Sequence, residues 1–336
     1  MVHNKQGIDM LHGRIWTKVL RFALPVAATG ILEQLFNASG IMIVGNFSQS
    51  DGTAAVAAVG SNAPVTGLIL NLFIGIALGA NVVIANAIGR GSREAVRNAV
   101  HTSIVTALIG GVIVAIIGEL LAGPLLGMLN VTADVFPLAL AYLRIYLIGM
   151  PVILLYNFET AIFRSIGDTQ APLAVLAISG VLNVTMGLIF VVLFHWGVSG
   201  VATATVIANV VSSMILLYRL VHTDAAIHVD LREFGIDWFT LRQILRIGLP
   251  AGVQSAVFAV ANIIIQAAIN SLGTVVMAAS SAAFNIEIIA YYVLNSFSQA
   301  CATFTGQKLW SQTDRTLQAR AWHLHSGGFH RHRGHH

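Results

Sequence analysis

Apolar runs of membrane-spanning length, separated by short charged breaks, are the feature that most constrains this chain. The stretch from Tyr142 to Asn183 shows the repeating unit, in which two apolar runs flank a short turn containing Arg164 and Asp168. A helix of about 20 apolar residues crosses the roughly 30 Å of hydrocarbon in a bilayer. Each run therefore predicts a membrane-spanning helix, and each charged turn marks where the chain reverses.

The same pattern along the whole chain predicts eight spans, at residues 22–45, 56–85, 99–122, 134–158, 170–194, 196–220, 243–270 and 275–305. Composition agrees, since 56% of the 336 residues are hydrophobic and only 10% are charged. Soluble domains carry roughly 25% charged residues. The predicted fold class is an all-α polytopic membrane protein.

Lysine and arginine fall on one set of loops. Apart from Arg144, which lies inside the fourth span, they lie before the first span, between spans two and three, four and five, and six and seven, and after span eight. The opposite loops, 46–55, 123–133, around 195 and 271–274, contain none. Basic loops stay on the cytoplasmic side, so a cytoplasmic N-terminus is expected. Because these loops alternate with the spans, they are topological signals and not a nucleic-acid surface.

The sequence starts again after a polar loop at about 221–241. The segment LRFALP at 20–25 is echoed by LRIGLP at 245–250, and Asn37 matches Asn262 at the same offset. Internal repeats with the substrate bound between them are typical of transporters. The chain therefore divides into an N-terminus (1–21), a first six-helix bundle (22–220), a cytoplasmic linker (221–242), two helices of a second bundle (243–307) and a tail (308–336).

Glu33 lies deep in the first span, and Asn37 follows on the same helix face. An acid in a span is costly unless it is neutral, paired or hydrated, and by default it marks a pathway. We interpret Glu33 as a cation-coupling or substrate-facing carboxylate. The alternative is a protonated glutamate bonded to the backbone of a neighbouring helix.

Glu287 has a similar position in the eighth span, with Tyr291 four residues further on. The seventh span carries a matching amide stripe of Gln254, Asn262 and Gln266. We predict that Glu287 is a coupling or cation-binding carboxylate, supported by these neighbours. A packing glutamate bonded to Asn262 or Gln266 is the alternative.

Three other charged residues lie within or near spans. Glu119 and Glu159 are expected near the membrane interfaces, snorkelling or paired. Arg144 either faces a cavity or pairs with Glu119, and the structural role is favoured.

Signals of an enzyme are missing from the sequence. GRGSRE at 89–94 lacks the lysine of a phosphate-binding loop, the histidines lack metal-ligand spacing, and no nucleophile–base pattern is present. The single cysteine, Cys301, permits no disulfide framework. We therefore expect no catalysis, no metal and no cofactor.

Six segments, in this order and spacing, resemble the MATE (multidrug and toxic compound extrusion) family of the MOP flippase superfamily. They are NLFIGIALGANVVIANAIGRG (71–91), RNAVHTS (97–103), YLRIYLIGMP (142–151), YNFETAIFRSIGDTQAPL (156–173), GVSGVATATVIANVVS (197–212) and NIEIIAYYVLNSFSQACATFTGQ (285–307). The resemblance covers roughly residues 10–307. It implies two six-helix bundles around a V-shaped cavity, and export of amphipathic organic cations driven by inward H⁺ or Na⁺.

The resemblance also extends to individual residues. Asn183 and Thr205 match polar positions of the family's N-half cation site, but Gly40 and Gly187 stand where many members have aspartate. Coupling through this half is therefore in doubt. Pro25 matches a first-helix proline whose bending the family links to the transport cycle, and a hinge and a plain kink fit it equally.

After Gln307 the sequence departs from the family, whose members continue with a pattern like GQNxGA and four more spans. One codon choice for residues 308–318, read one base later, gives NYGAKQIGRC and restores GQNYGA. The resemblance thus leads us to expect a chain truncated by a frameshift, with an out-of-frame tail at 308–336.

The predicted function is secondary active multidrug efflux, an antiport of H⁺ or Na⁺ against a drug across the cytoplasmic membrane of a bacterium. The expected partners are small amphipathic organic cations and the lipid bilayer, with a monomeric protein and no nucleic acid. Two alternatives stay open. One is a lipid-linked oligosaccharide flippase of the same superfamily, whose cavity should be lined with arginines, and the other is an inactive fragment.

Overall fold

The computed structural model describes residues 8, 15–48, 52–129, 131–230, 235–270, 280, 283 and 287–308. These residues form helices joined by short loops. The helices are α1 (Ile15–Phe47), α2 (Gly52–Gly89), α3 (Arg93–Met128), α4 (Phe136–Ile148), α5 (Met150–Ser165), α6 (Gln170–Leu188), α7 (Gly197–Val221), α8 (Trp238–Asn270) and α9 (287–308). A turn of π-helix, Ile189–Leu193, extends α6.

Six of these helices are long and apolar enough to cross a membrane, and seven spans result if α4 and α5 count as one. The all-helical fold is confirmed in the described residues. Helix ends differ from the predicted spans, since α1 begins at Ile15 and α8 at Trp238, well before the expected 22 and 243. Residues 271–279, at the start of the eighth predicted span, lie outside the described part of the chain.

The fourth predicted span is broken. Helices α4 and α5 meet at Gly149 with a bend of 53°, and Pro151 occupies the first turn of α5. Proline has no backbone N–H to continue the hydrogen-bond ladder of the preceding helix. Gly149 is also in close contact with α7, because a Cβ there would overlap the Val206 side chain. The span also runs to Ser165 and not to 158.

The predicted turn between α5 and α6 is confirmed. Gly167 has φ 83°, a left-handed conformation that glycine adopts without steric cost. Its N–H donates to the Arg164 carbonyl at 2.9 Å, and the Asp168 N–H donates to the Phe163 carbonyl at 3.1 Å. The Asp168 carboxylate then accepts from the Ala171 N–H at 3.0 Å, which starts α6.

Helices α2 and α8 pack with their backbones in contact. Each carries two glycines four residues apart, Gly75 and Gly79 on α2 and Gly248 and Gly252 on α8. A Cβ at any of the four would overlap backbone atoms of the opposite helix. Small residues at this spacing allow the close approach that lipid-embedded helices need.

One end of the helix bundle carries the basic residues and is called the basic end here. It is defined by Arg90, Arg93, Arg97 and Arg219. Helix α9 packs toward this end: Phe304 meets Phe22 of α1 edge to face, with ring centroids 6.0 Å apart. The two halves of the chain are thus in contact at the basic end.

Candidate functional site

A cavity of about 150 Å³ lies among six helices of the first half, α1, α2 and α4 to α7. Its polar lining is supplied by Glu33, Asn37, Tyr146, Tyr156, Asn157, Ser179, Asn183, Thr205, Asn209 and Ser212. The four residues predicted for this half, Glu33, Asn37, Asn183 and Thr205, are therefore brought together, although they come from three different helices.

Helical spacing explains how these side chains reach one place. Glu33 and Asn37 are four residues apart on α1 and share a face. On α7, the Thr205 hydroxyl donates to the Val201 carbonyl at 3.0 Å, and the Asn209 amide donates to the Thr205 carbonyl at 2.9 Å. These bonds keep polar α7 side chains on the cavity side while leaving oxygen atoms available to a ligand.

Glu33 is the one acid among the described lining residues, and no lysine or arginine joins it there. Its side chain is exposed to the cavity. Its charge acts on the hydroxyls of Tyr146 and Tyr156 and on that of Tyr292 from α9. The two glycines that replace family aspartates pack against other helices, Gly40 against Val201 and Gly187 against Ile43.

Arg164 is the cation whose charge acts on Glu33. It lies in the last turn of α5, and its Nη1 donates to Oε1 of Gln299 on α9 at 3.0 Å. Gln299 donates onward to the Asn295 side-chain oxygen at 2.7 Å, and Asn295 donates to the Tyr291 hydroxyl at 3.3 Å. Arg164 therefore interacts electrostatically with the cavity acid and is hydrogen-bonded to the second half of the chain.

Sequence reasoning treated Arg164 only as a topological charge in a loop, so this network was missed. A signal was present in α9, where polar side chains recur every four residues as Tyr291, Asn295, Gln299, Thr303 and Gln307. Such a stripe occupies one face of a helix. Of its members, only Tyr291 was predicted from the sequence as a site residue.

The C-terminal part of that stripe forms what we call the α9 seam. It consists of three hydrogen bonds that join Gln299, Thr303 and Gln307 to the first half of the chain. Gln299 accepts from Arg164, as above. The Thr303 hydroxyl donates to the Asn81 side-chain oxygen at 3.0 Å, and the Gln307 amide donates to the Ser165 carbonyl at 2.6 Å. Thr303 and Gln307 are both buried. The seam joins the two halves of the chain at the basic end.

The residues predicted for the second half do not join the cavity. Glu287, Gln254 and Asn262 have exposed side chains on α8 and α9. Tyr291 is 47% exposed and stacks on Phe258, with ring centroids 6.4 Å apart. The Gln266 side chain lies outside the described residues. The coupling role of Glu287 stays a prediction.

The structure also shows the surroundings of Arg144, Glu159 and Pro25. Arg144 Nε lies 3.5 Å from Glu119 Oε2, so the expected ion pair is formed. Glu159 was expected to snorkel to an interface or to be paired, and this was wrong: its side chain is completely buried, and neither carboxyl oxygen has a hydrogen-bond partner. Pro25 lies inside α1, and its carbonyl accepts from the Thr29 hydroxyl at 2.8 Å. That bond satisfies a backbone group near the proline, and it does not distinguish a hinge from a kink.

Two acids near the basic end have perturbed pKa values. Burial raises the pKa of Asp168, partly offset by the Ala171 N–H and by Arg219. A hydrogen bond from the Thr240 hydroxyl lowers the pKa of Asp237, which precedes α8. In the described residues no three His, Cys, Asp or Glu side chains come together in a way that could hold a metal.

The MatE family model matches residues 25–189 of this chain. The chain is 24% identical over 308 residues to a probable multidrug resistance protein, YpnP, of Bacillus subtilis, covering 90% of this chain and 67% of that protein. It is 26% identical over 305 residues to a probable multidrug resistance protein, NorM, of Thermotoga maritima, covering 86% and 62%. A crystal structure of MATE in the bent conformation matches with a TM-score of 0.84 at 25% identity, over 94% of this chain and 70% of that one.

The chain thus spans about two thirds of the length of these relatives, 67% of one and 62% of the other. The described helices form a multi-pass membrane protein with the fold of the matched crystal structure.

Proposed function

Because the chain belongs to the MATE family of transporters, we propose that it performs secondary active multidrug efflux, exchanging a drug-like cation for H⁺ or Na⁺. The observation that carries this proposal is the position of Glu33. It is the one acid in the lining of a cavity, and the polar network from Arg164 to Tyr291 connects its surroundings to the second half of the chain. A charge change at Glu33 can therefore act on both halves.

The coupling ion is bound by Glu33, either as a proton on the carboxyl or as Na⁺. The side-chain oxygens of Asn37, Asn183 and Thr205 supply hard oxygen ligands in the same cavity. Neutralising Glu33 weakens its attraction to Arg164, and with it the reason for Arg164 to hold its position beside Gln299. No catalytic step and no bound cofactor are part of this mechanism.

Small amphipathic organic cations fit the surroundings of Glu33. Tyr146 and Tyr156 line the same cavity as this single carboxylate, and a cation is attracted both by a carboxylate and by aromatic ring faces. A lipid-linked oligosaccharide flippase would need a cationic cavity instead. The described lining contains no lysine or arginine, and Arg144 is paired with Glu119, so the lining argues against that alternative.

We place the protein in the cytoplasmic membrane of a bacterium as a monomer, with its basic end and N-terminus in the cytoplasm. In this orientation the α9 seam joins the two halves of the chain on the cytoplasmic side. Substrate would then leave toward the outside.

The test is gradient-driven efflux of a fluorescent organic cation from liposomes containing the chain. Glu33→Gln keeps the size of the side chain and removes its charge, so we expect ion-dependent efflux to be lost. The matched control is Glu94→Gln, at the exposed start of α3, which should retain it. Efflux by Glu33→Gln equal to that of the unmodified chain, or no gradient-dependent efflux by the unmodified chain, contradicts the proposal.

A further inference from the structure

Most of the buried polar atoms that lack a hydrogen bond in the described part of the chain lie in one short stretch. Five of the seven are the hydroxyl oxygens of Tyr156, Thr160 and Thr169 and both carboxyl oxygens of Glu159. Buried polar groups are nearly always hydrogen-bonded to protein or to water. Such a concentration along α5 and the turn after it indicates a place that handles water or protons.

Glu159 is the central member. Its side chain is 0% exposed. In sequence it lies between Phe158 and Thr160, on a helix whose apolar side chains belong to the main hydrophobic cluster. The Ser213 side chain of α7 lies close to it but does not complete a hydrogen bond to it. An ionised carboxylate there would be an unpaired buried charge, which costs several kcal/mol. Burial without an ionic partner therefore favours the neutral, protonated form of the carboxyl group.

The surrounding helices offer little charge to Glu159. Helices α2 and α7 have no charged side chain before Arg90 and Arg219 at the basic end. Helix α3 carries Arg93, Glu94 and Arg97 at that same end and Glu119 near its other end, and its buried His101 accepts at Nε2 from the Asp230 N–H at 3.2 Å. On α5 itself, the charge of Arg164 acts on Glu33 and Tyr156. The proton on Glu159 is thus not replaced by a neighbouring cation.

The position of Glu159 lies between the cavity and the basic end. Tyr156 lines the cavity, and Glu159 and Thr160 follow it by one turn, about 5 Å along the helix axis. Thr169 lies in the turn beyond, beside Asp168, whose pKa is raised by burial. Polar groups without partners therefore continue from the cavity toward the basic end.

We propose that Glu159 is a proton-binding site and that Tyr156, Thr160 and Thr169, joined by water, form a path for that proton between the cavity and the basic end. In each transfer the O–H bond of the carboxylic acid breaks, the proton passes to water, and the resulting carboxylate takes up another proton. This deepens the proposed function, on which any role in ion coupling rests. The site itself is defined without transport.

The experiment is infrared difference spectroscopy of the purified chain in lipid nanodiscs while the pH is stepped from acidic to alkaline. We expect the C=O stretch of a protonated carboxyl that persists at neutral pH. Glu159→Gln should lose this band, and Glu33→Gln should keep it. After transfer to D₂O the band should shift, and Thr160→Val, which removes one hydroxyl at nearly constant size, should slow that shift several-fold.

Identical pH-difference spectra for the unmodified chain and Glu159→Gln would overturn the site, and an unchanged exchange rate in Thr160→Val would overturn the path. Circular dichroism checks folding, and if Glu159→Gln does not fold, Glu159→Asp must move the band. A band that depends on Glu159 without any efflux overturns only the proposed function. Efflux without such a band overturns only this inference.

Discussion

The backbone contact between α2 and α8 predicts a large response to one added methyl group. In Gly75→Ala the new Cβ would overlap the backbone nitrogen and Cα of Gly252. Backbone atoms cannot rotate away as a flexible side chain can, so the two helices must separate and lose packing along their length. Overpacking of this kind costs about 1–3 kcal/mol.

Gly67→Ala is the matched control, because Gly67 lies in the same helix and a Cβ there meets nothing within 4 Å. Replacing a glycine inside a helix by alanine otherwise stabilises by roughly 0.5–1 kcal/mol, and both variants receive this gain. We therefore expect Gly75→Ala to be less stable than Gly67→Ala by about 1–3 kcal/mol. The assay is unfolding of the purified chain by SDS in mixed micelles, followed by circular dichroism.

A double variant tests the mechanism as well as the magnitude. Gly75 and Gly252 share one contact, so once the first methyl has separated the helices the second should cost less than it does alone. The combined loss in Gly75→Ala/Gly252→Ala should thus be smaller than the sum of the two single losses. Equal stability of Gly75→Ala and Gly67→Ala would refute the reasoning, and strict additivity would refute the shared contact.

Two further predictions concern the cavity wall and the turn after α5. A Cβ on Gly180 of α6 would overlap the ring of Phe36, which lines the cavity. Gly180→Ala should therefore destabilise the chain and weaken binding of a fluorescent cation, and adding Phe36→Leu should restore both stability and binding. A Gly180→Ala chain with unchanged stability and binding would contradict this. Since burial raises the folded-state pKa of Asp168 above 3.8, the stability that Asp168 contributes is full below that value and declines as pH rises through the folded-state pKa. In Asp168→Asn this decline should be absent from plots of the free energy of unfolding against pH, and an identical pH dependence would disprove the assignment.

Local chemistry explains which elements could be predicted from the sequence. The spans could be predicted from hydropathy, because each apolar run is by itself long enough to cross a membrane. The turn after α5 could be predicted from Gly167 and Asp168. The bend at Gly149 could not be predicted from Pro151 alone, because the packing of Gly149 against Val206 of α7 joins residues that are distant in sequence. The sequence shows Pro151, but it does not show how closely α7 packs against Gly149.

The candidate site could likewise be predicted only in part. Glu33, Asn37, Asn183 and Thr205 could be selected because polar residues in apolar helices are few, and the cavity brings them together. Arg164 and Glu159 were misjudged because each lies near a helix end, where a charge usually faces water or headgroups. Burial among helices distant in sequence decides their roles, and the partner of Arg164, Gln299, is 135 residues away.

The α9 seam has a consequence for the order in which the two halves can separate at the basic end. Its three contacts lie four residues apart, about 6 Å per step along α9. They can therefore break one after another and need not break together. Gln307 is nearest the basic end, so water arriving from that side competes first for its bond to Ser165, then for the Thr303 contact, and last for Arg164. Release of Arg164, whose charge acts on Glu33, would then follow the loss of the other two contacts.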